Sequence, residues 1–152
     1  MKTSRISPRS IELLVGILAT ALMVTGIALY TLNEPARLQE AQVRQLAVDL
    51  DNAMTTYAQN CAVCHGAAGE GIGATPALNG LNMKEMDAGA LTKVISRGLY
   101  GSAMPAWSLE DGGPLSDYQI GQLVSLMHHG DWTTTQDRVV NLGLAPLIPF
   151  VS

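Results

Sequence analysis

The sequence predicts an all-α protein: a small helical domain preceded by a single N-terminal transmembrane helix. Three observations lead there. A run of about 20 residues without charge lies near the N-terminus, the later apolar residues recur at offsets of three and four, and no segment longer than a few residues alternates with period two. The 152 residues hold one ordinary domain and an appendage, not two full-sized domains. At 47% hydrophobic and 14% charged, the chain is too apolar for disorder and charge-poor for a freely soluble protein. Some of its apolar surface must therefore meet something other than a self-made core. A net charge of -4 argues against a nucleic-acid-binding face, and two Cys exclude a disulfide scaffold.

The first element is the uncharged run at 13–33, LLVGILATALMVTGIALYTLN, long enough to cross a hydrocarbon layer of about 30 Å as a helix. Lys2, Arg5 and Arg9 precede it against a single Glu12, while Glu34, Arg37 and Glu40 follow it. The positive-inside rule then places 1–12 in the cytoplasm and everything after Asn33 on the outer, periplasmic side of a bacterial cytoplasmic membrane. A cleaved signal peptide shares this pattern, but its apolar region runs only about 7 to 15 residues, so an uncleaved anchor is expected. A buried core helix is disfavoured because so short a chain offers it too little partner surface.

Residues 34–49 form a helical stalk, with Pro35 expected in the first turn of a new helix. Leu46, Leu50, Ala53, Met54 and Tyr57 continue one apolar stripe toward Asn60. The segment 66–80, GAAGEGIGATPALNG, holds five Gly and one Pro without any period and reads as a loop. Asp87 caps a short helix with Leu91, Val94 and Ile95 on one side and Gly98 after its end. Ser116 or Asp117 caps another, striped by Ile120, Leu123, Val124 and Met127 and closed by Gly130; 99–115 between them is loop. The domain proper is expected at 50–130, followed by a tail at 131–152. Within that tail, 141–152, NLGLAPLIPFVS, has no charge and two Pro. It is too short to span a membrane and too apolar for an ordinary loose end, so it is expected to lie extended against a neighbouring subunit. The helices hold too few large side chains to fill a core, and the domain needs a prosthetic group.

Cys61-Ala62-Val63-Cys64-His65 is the spacing of c-type haem attachment. Helix positions i, i+3 and i+4 share a face, so two thiols can join the two vinyl groups of one porphyrin while the imidazole points at its iron. A thioredoxin-like C-x-x-C needs a βαβ setting that is missing here. A Cys2His2 zinc site with His128 or His129 would leave the glycine loop and the small core unexplained. One covalent haem c is the expected cofactor. Candidates for the second axial position are Met83, Met86, Met104, Met127, His128 and His129. Met127 belongs to an apolar stripe, the two His end a helix near solvent, and Met83 and Met86 sit in a short polar stretch. Met104 precedes Pro105, which forces extended geometry and projects the thioether from a loop, so it is favoured. His128, His129 and an open site remain alternatives.

These residues resemble the class I mono-haem cytochromes c over about 50–130. NCAVCHG at 60–66 is similar to that family's haem helix, MPAW at 104–107 to its ligand-Met loop, and GGPLSDYQIGQLV at 112–124 to its closing helix. Pro76-Ala77-Leu78 looks like the loop whose proline carbonyl holds the ligating His. One departure is visible: where the family's first helix carries a small Gly at its crossing with the last, this chain offers Ala53. With its anchor and apolar tail, the chain looks most like cytochrome c subunits of membrane electron-transfer complexes, such as the mono-haem subunit of alternative complex III.

The resemblance implies one-electron transfer, with Cys61 and Cys64 fixing the porphyrin, His65 and Met104 as axial ligands and Pro76 supporting His65. The chain is then no enzyme by itself but a subunit of a respiratory or photosynthetic complex passing electrons from quinol toward a periplasmic acceptor. A free-standing tethered shuttle is the alternative, and a gas sensor or peroxidase a third reading that needs an open sixth site. Partners are other subunits of the complex and a soluble carrier, basic where it docks, since the exported part has about six more acidic than basic residues.

Overall fold

A computed structural model describes residues 7–144. Lys2 and Arg5 of the charge bias, and 145–152 of the apolar tail, lie outside the described residues. The elements are α1 (Pro8–Asn60), α2 (Ala62–His65), α3 (Leu81–Glu85), α4 (Ala88–Arg97), a 3-10 turn (Leu109–Asp111), α5 (Asp117–His129) and α6 (Trp132–Asn141). Among the described residues there is no strand, only an isolated parallel bridge between Ser108 and Leu115, so the class is all-α as expected. The chain forms two compact units divided after Arg44.

The first unit is the N-terminal part of α1. Its apolar stretch is long and apolar enough to cross a membrane by length and composition, and its side chains are exposed. Pro35 does not begin a helix here: α1 runs through it. Proline removes one N–H, and with it the bond to the Thr31 carbonyl, but helix-forming sequence on both sides carries the ladder past the gap. Thr31 Oγ1 and Asn33 Nδ2 donate back to the carbonyls of Ala28 and Leu29, adding local bonds just before the proline.

The second unit begins at Gln45, ahead of the expected boundary at 50, because Gln45 and Asp49 already bond to side chains of α5. Its core sets Ala53 and Tyr57 of the predicted stripe of α1, together with Ala58, against Leu91 and Ile95 of α4 and Ile120, Leu123, Val124, Leu126 and Met127 of α5, while Leu50 and Met54 of that stripe are partly buried and Leu46 is exposed. Burying one large aliphatic side chain contributes about 1.5–3 kcal/mol, so this stripe is the main stabilising feature. The local sequence explains why each helix starts where it does. Asp87 accepts from the Ala90 N–H at the head of α4. Ser116 and Gln119 form a reciprocal capping box at the head of α5, which decides the Ser116 or Asp117 question for Ser116.

α6 is an element within the stretch read from sequence as tail. Asp131 caps it, accepting from the Thr133 N–H, and Thr135 and Val139 are fully buried against the core. Two polar clamps, also unforeseen, lace α1 to the later helices. The Asp49 carboxylate accepts from Tyr118 Oη at 2.6 Å and Gln122 Nε2 at 2.9 Å on α5. Arg138 of α6 pairs with Asp51 and donates to Thr55 Oγ1 at 2.8 Å. Ala53 lies one helical turn beyond Asp49 and is completely buried, so a single methyl fits where the resemblance led to glycine.

Candidate functional site

The end of α1 and the short α2 place the attachment residues. The Cys61 and His65 N–H groups continue helical bonds to the Tyr57 and Cys61 carbonyls, at 2.8 and 2.9 Å, which puts Cys61, Cys64 and His65 on one helical face. Both thiols are free, Cys64 exposed and Cys61 half-buried. Burial, and next the neighbouring Cys64, push the Cys61 thiol up to about 12. Gly66 ends the turn at φ +85°, and Tyr57 Oη donates to its carbonyl at 2.6 Å; burial and then the nearby Cys61 raise the Tyr57 phenol far above its ordinary value, so it stays a donor.

The glycine loop is irregular but heavily bonded. The Gly71 N–H reaches the His65 carbonyl at 2.7 Å, and the Gly69 carbonyl accepts from Leu78 and Asn79 at 2.7 and 3.1 Å. Asn79 Nδ2 donates to the Ala68 carbonyl, and the Glu70 carboxylate accepts from the Ala68 N–H. This framework presents the Pro76 carbonyl to His65, with Nδ1 3.0 Å away. A carbonyl only accepts, so Nδ1 carries a hydrogen, and in the neutral ring Nε2 is then the nitrogen with the lone pair. A neutral imidazole fixed in that tautomer is what a haem iron requires on its proximal side.

Met104 is half-buried and packs against the core. Its loop closes on itself and is pinned to α4: the Leu99 N–H donates to the Met104 carbonyl at 3.1 Å within the loop, and the Trp107 N–H to the Ser96 carbonyl of α4 at 3.0 Å. Inside it, the Met104 N–H donates to Ser102 Oγ and the Ser102 N–H to the Leu99 carbonyl. Gly98 makes the approach possible, having φ +70° and no room for a Cβ, which would lie 2.6 Å from the Met104 carbonyl oxygen.

The other candidates separate. Met127 is buried in the core. Met86 is exposed, but Met83 is half-buried against the core, a contact its polar neighbourhood concealed. His128 is not left to solvent: its Nε2 lies 3.0 Å from the Met86 carbonyl and must donate to it, which ties up that nitrogen. His129 is exposed.

The donor set therefore fits a covalent haem: two free thiols at i and i+3, an imidazole with an available Nε2 at i+4, and a thioether in a braced loop. Met83, Met104 and Trp107 lie against the core yet remain only partly covered, so apolar surface is left over on the domain for a large planar group. Among the described residues there is no group of three or more His, Cys, Asp or Glu placed to hold a bare metal ion.

An all-α fold with this motif defines a c-type cytochrome. The model of the family described as Cytochrome C oxidase, cbb3-type, subunit III matches residues 48–127, more than half of the chain, and the chain belongs to that family. Membership implies covalently bound haem c and an electron-transfer role. No curated protein and no solved structure matches the chain.

Proposed function

We propose that the chain is a membrane-anchored one-electron carrier that holds one haem c through Cys61 and Cys64, with His65 and Met104 as axial ligands, inside a multi-subunit electron-transfer complex. The observation that carries the reading is the His65–Pro76 contact, which frees Nε2 next to two unpaired thiols. Haem c, when bound, supplies reversible Fe(III)/Fe(II) exchange. The protein's part is to keep its ligands in place and water out. Pro76 holds the His65 tautomer, the Gly98–Trp107 loop holds Met104, and a Met sulfur favours the reduced state and raises the potential. With His65 and Met104 both held toward a bound haem, no position would be left for gas binding or peroxidase chemistry.

The family's description, a subunit of a terminal oxidase, supports a fixed subunit over a free shuttle. The narrower likeness to the mono-haem subunit of alternative complex III rests on the sequence resemblance alone. The charge bias around 13–33 supports a cytoplasmic N-terminus and a periplasmic haem domain. Purification in mild detergent tests the reading. Colour should stay with the polypeptide after denaturation and acid-acetone extraction, and oxidase or quinol-oxidising subunits should co-migrate. A colourless chain would end it, and a coloured chain migrating alone would favour the shuttle.

A further inference from the structure

We propose that Trp132, the first residue of α6, is a positioning residue for the His65 imidazole, acting through Gly69 and Tyr57. This rests on the reading of His65 as an axial ligand. Trp132 lies outside the 48–127 family match, yet it touches both supports of that ring. Its six-membered ring lies on Gly69, where a Cβ would sit 2.5 Å from Cζ3 and 2.7 Å from Cε3, so only glycine lets the indole approach. The Gly69 carbonyl fastens Leu78 and Asn79, two and three residues beyond the Pro76 carbonyl that receives the His65 Nδ1–H. The indole also meets Tyr57 edge to face, with centroids 5.3 Å apart at 78°, and Tyr57 Oη holds the carbonyl of Gly66, the residue after His65. The acceptor of the imidazole and the backbone that carries it both run through groups that Trp132 covers.

The indole is also held at a cost. Its Nε1 is buried without a hydrogen-bond partner, whereas Leu or Phe would fill space with no stranded donor. The flat ring reaching Gly69 is what those smaller side chains lack. α6 in turn is fixed by buried Thr135 and Val139 and by Arg138 on Asp51 and Thr55, so the ring has a firm base.

An imidazole whose Nδ1–H donates to a carbonyl is the more basic ligand, so loosening that bond favours Fe(II) and raises the potential. Water entering the pocket lowers it instead, by stabilising the charged ferric state. The sign of the shift thus separates lost positioning from mere loosening. The test uses the full-length holoprotein in detergent, selectively 15N-histidine labelled, as wild type, Trp132→Ala and Trp132→Phe. Exchange of the His65 Nδ1–H should quicken about tenfold or more in Trp132→Ala, because local opening becomes easier. The potential should rise, with smaller changes of both kinds in Trp132→Phe. Unchanged exchange, or a lowered potential, in a variant that keeps its haem would overturn the proposal; if Trp132→Ala loses haem, Trp132→Phe alone decides. A wild-type spectrum without a hyperfine-shifted histidine would defeat the ligand reading instead, and the exchange comparison would still report whether Trp132 holds the His65–Pro76 contact.

Discussion

The tautomer of His65 and the hydrogen bond of His128 make opposite predictions for two histidines of one chain. His65 presents a free Nε2, while His128 spends its own on the Met86 carbonyl. His128→Ala should therefore leave the haem spectrum unchanged. Met104→Ala should abolish the weak far-red sulfur-to-iron band of the ferric protein, lower the potential and admit carbon monoxide, all read by optical titration; a retained band would move the ligand elsewhere. Cys61→Ala should leave at most one thioether and shift the α-band of any surviving holoprotein to the red. At this scale what the sequence made legible was spacing and loop chemistry. Cys61, Cys64 and His65 are spaced by helix geometry, and Met104 is marked by the Pro105 that follows it. Met83 was not legible, because its burial depends on where α3 packs and not on its polar neighbours.

Helices α4 and α5 were legible for the same reason that they are stable: each pairs an apolar stripe with a recognisable cap. Ile120→Ala, at a fully buried position of α5, should cost about 2–5 kcal/mol in denaturant unfolding. α6 carried a fainter signal. Asp131 ahead of Trp132 and three threonines is a cap, and Trp132, Thr135 and Val139 are spaced three and four apart, but a threonine in the stripe hides the pattern. The polar clamps left none, since their partners lie about 70 or more residues apart in sequence. Their pH dependence follows from the Asp49–Tyr118 contact. Hydrogen bonds from Tyr118 and then Gln122 hold the Asp49 carboxyl below its ordinary range, and the same carboxylate holds the Tyr118 phenol above its own. For Asp49 the folded value lies below the unfolded one, so its contribution is full above about pH 4 and is lost as pH falls through the lowered value. For Tyr118 the contribution is full below about pH 10 and is lost as pH rises through the raised value. Melting temperature against pH should lose part of its acid slope in Asp49→Asn and part of its alkaline slope in Tyr118→Phe. Slopes identical to wild type would show that the clamp adds nothing to stability.

At the scale of the whole molecule the predictions concern address and attachment. Protease added outside spheroplasts should remove the haem domain if the basic N-terminus is cytoplasmic, and protection of that domain would reverse the topology. Deleting 143–152 should leave the haem spectrum intact while releasing the protein from its complex in detergent, and undiminished co-purification would defeat a docking role for the tail. The sequence spoke clearly about the N-terminal apolar helix, because length and apolarity alone make a helix able to cross a membrane, and less about partners, because docking depends on surfaces of other chains. The Met104 loop carries a consequence of another kind. Between Gly98 and Trp107 the backbone closes its hydrogen bonds on itself and on the last turn of α4, and the residues at its tip, 100–103, are exposed. Such a segment is a cartridge. Provided the glycine and the Trp107 N–H are kept, its exposed tip can be changed without disturbing the helices, so under the proposed reading of Met104 as a haem ligand this loop is the natural place for descendants of this chain to retune their potential.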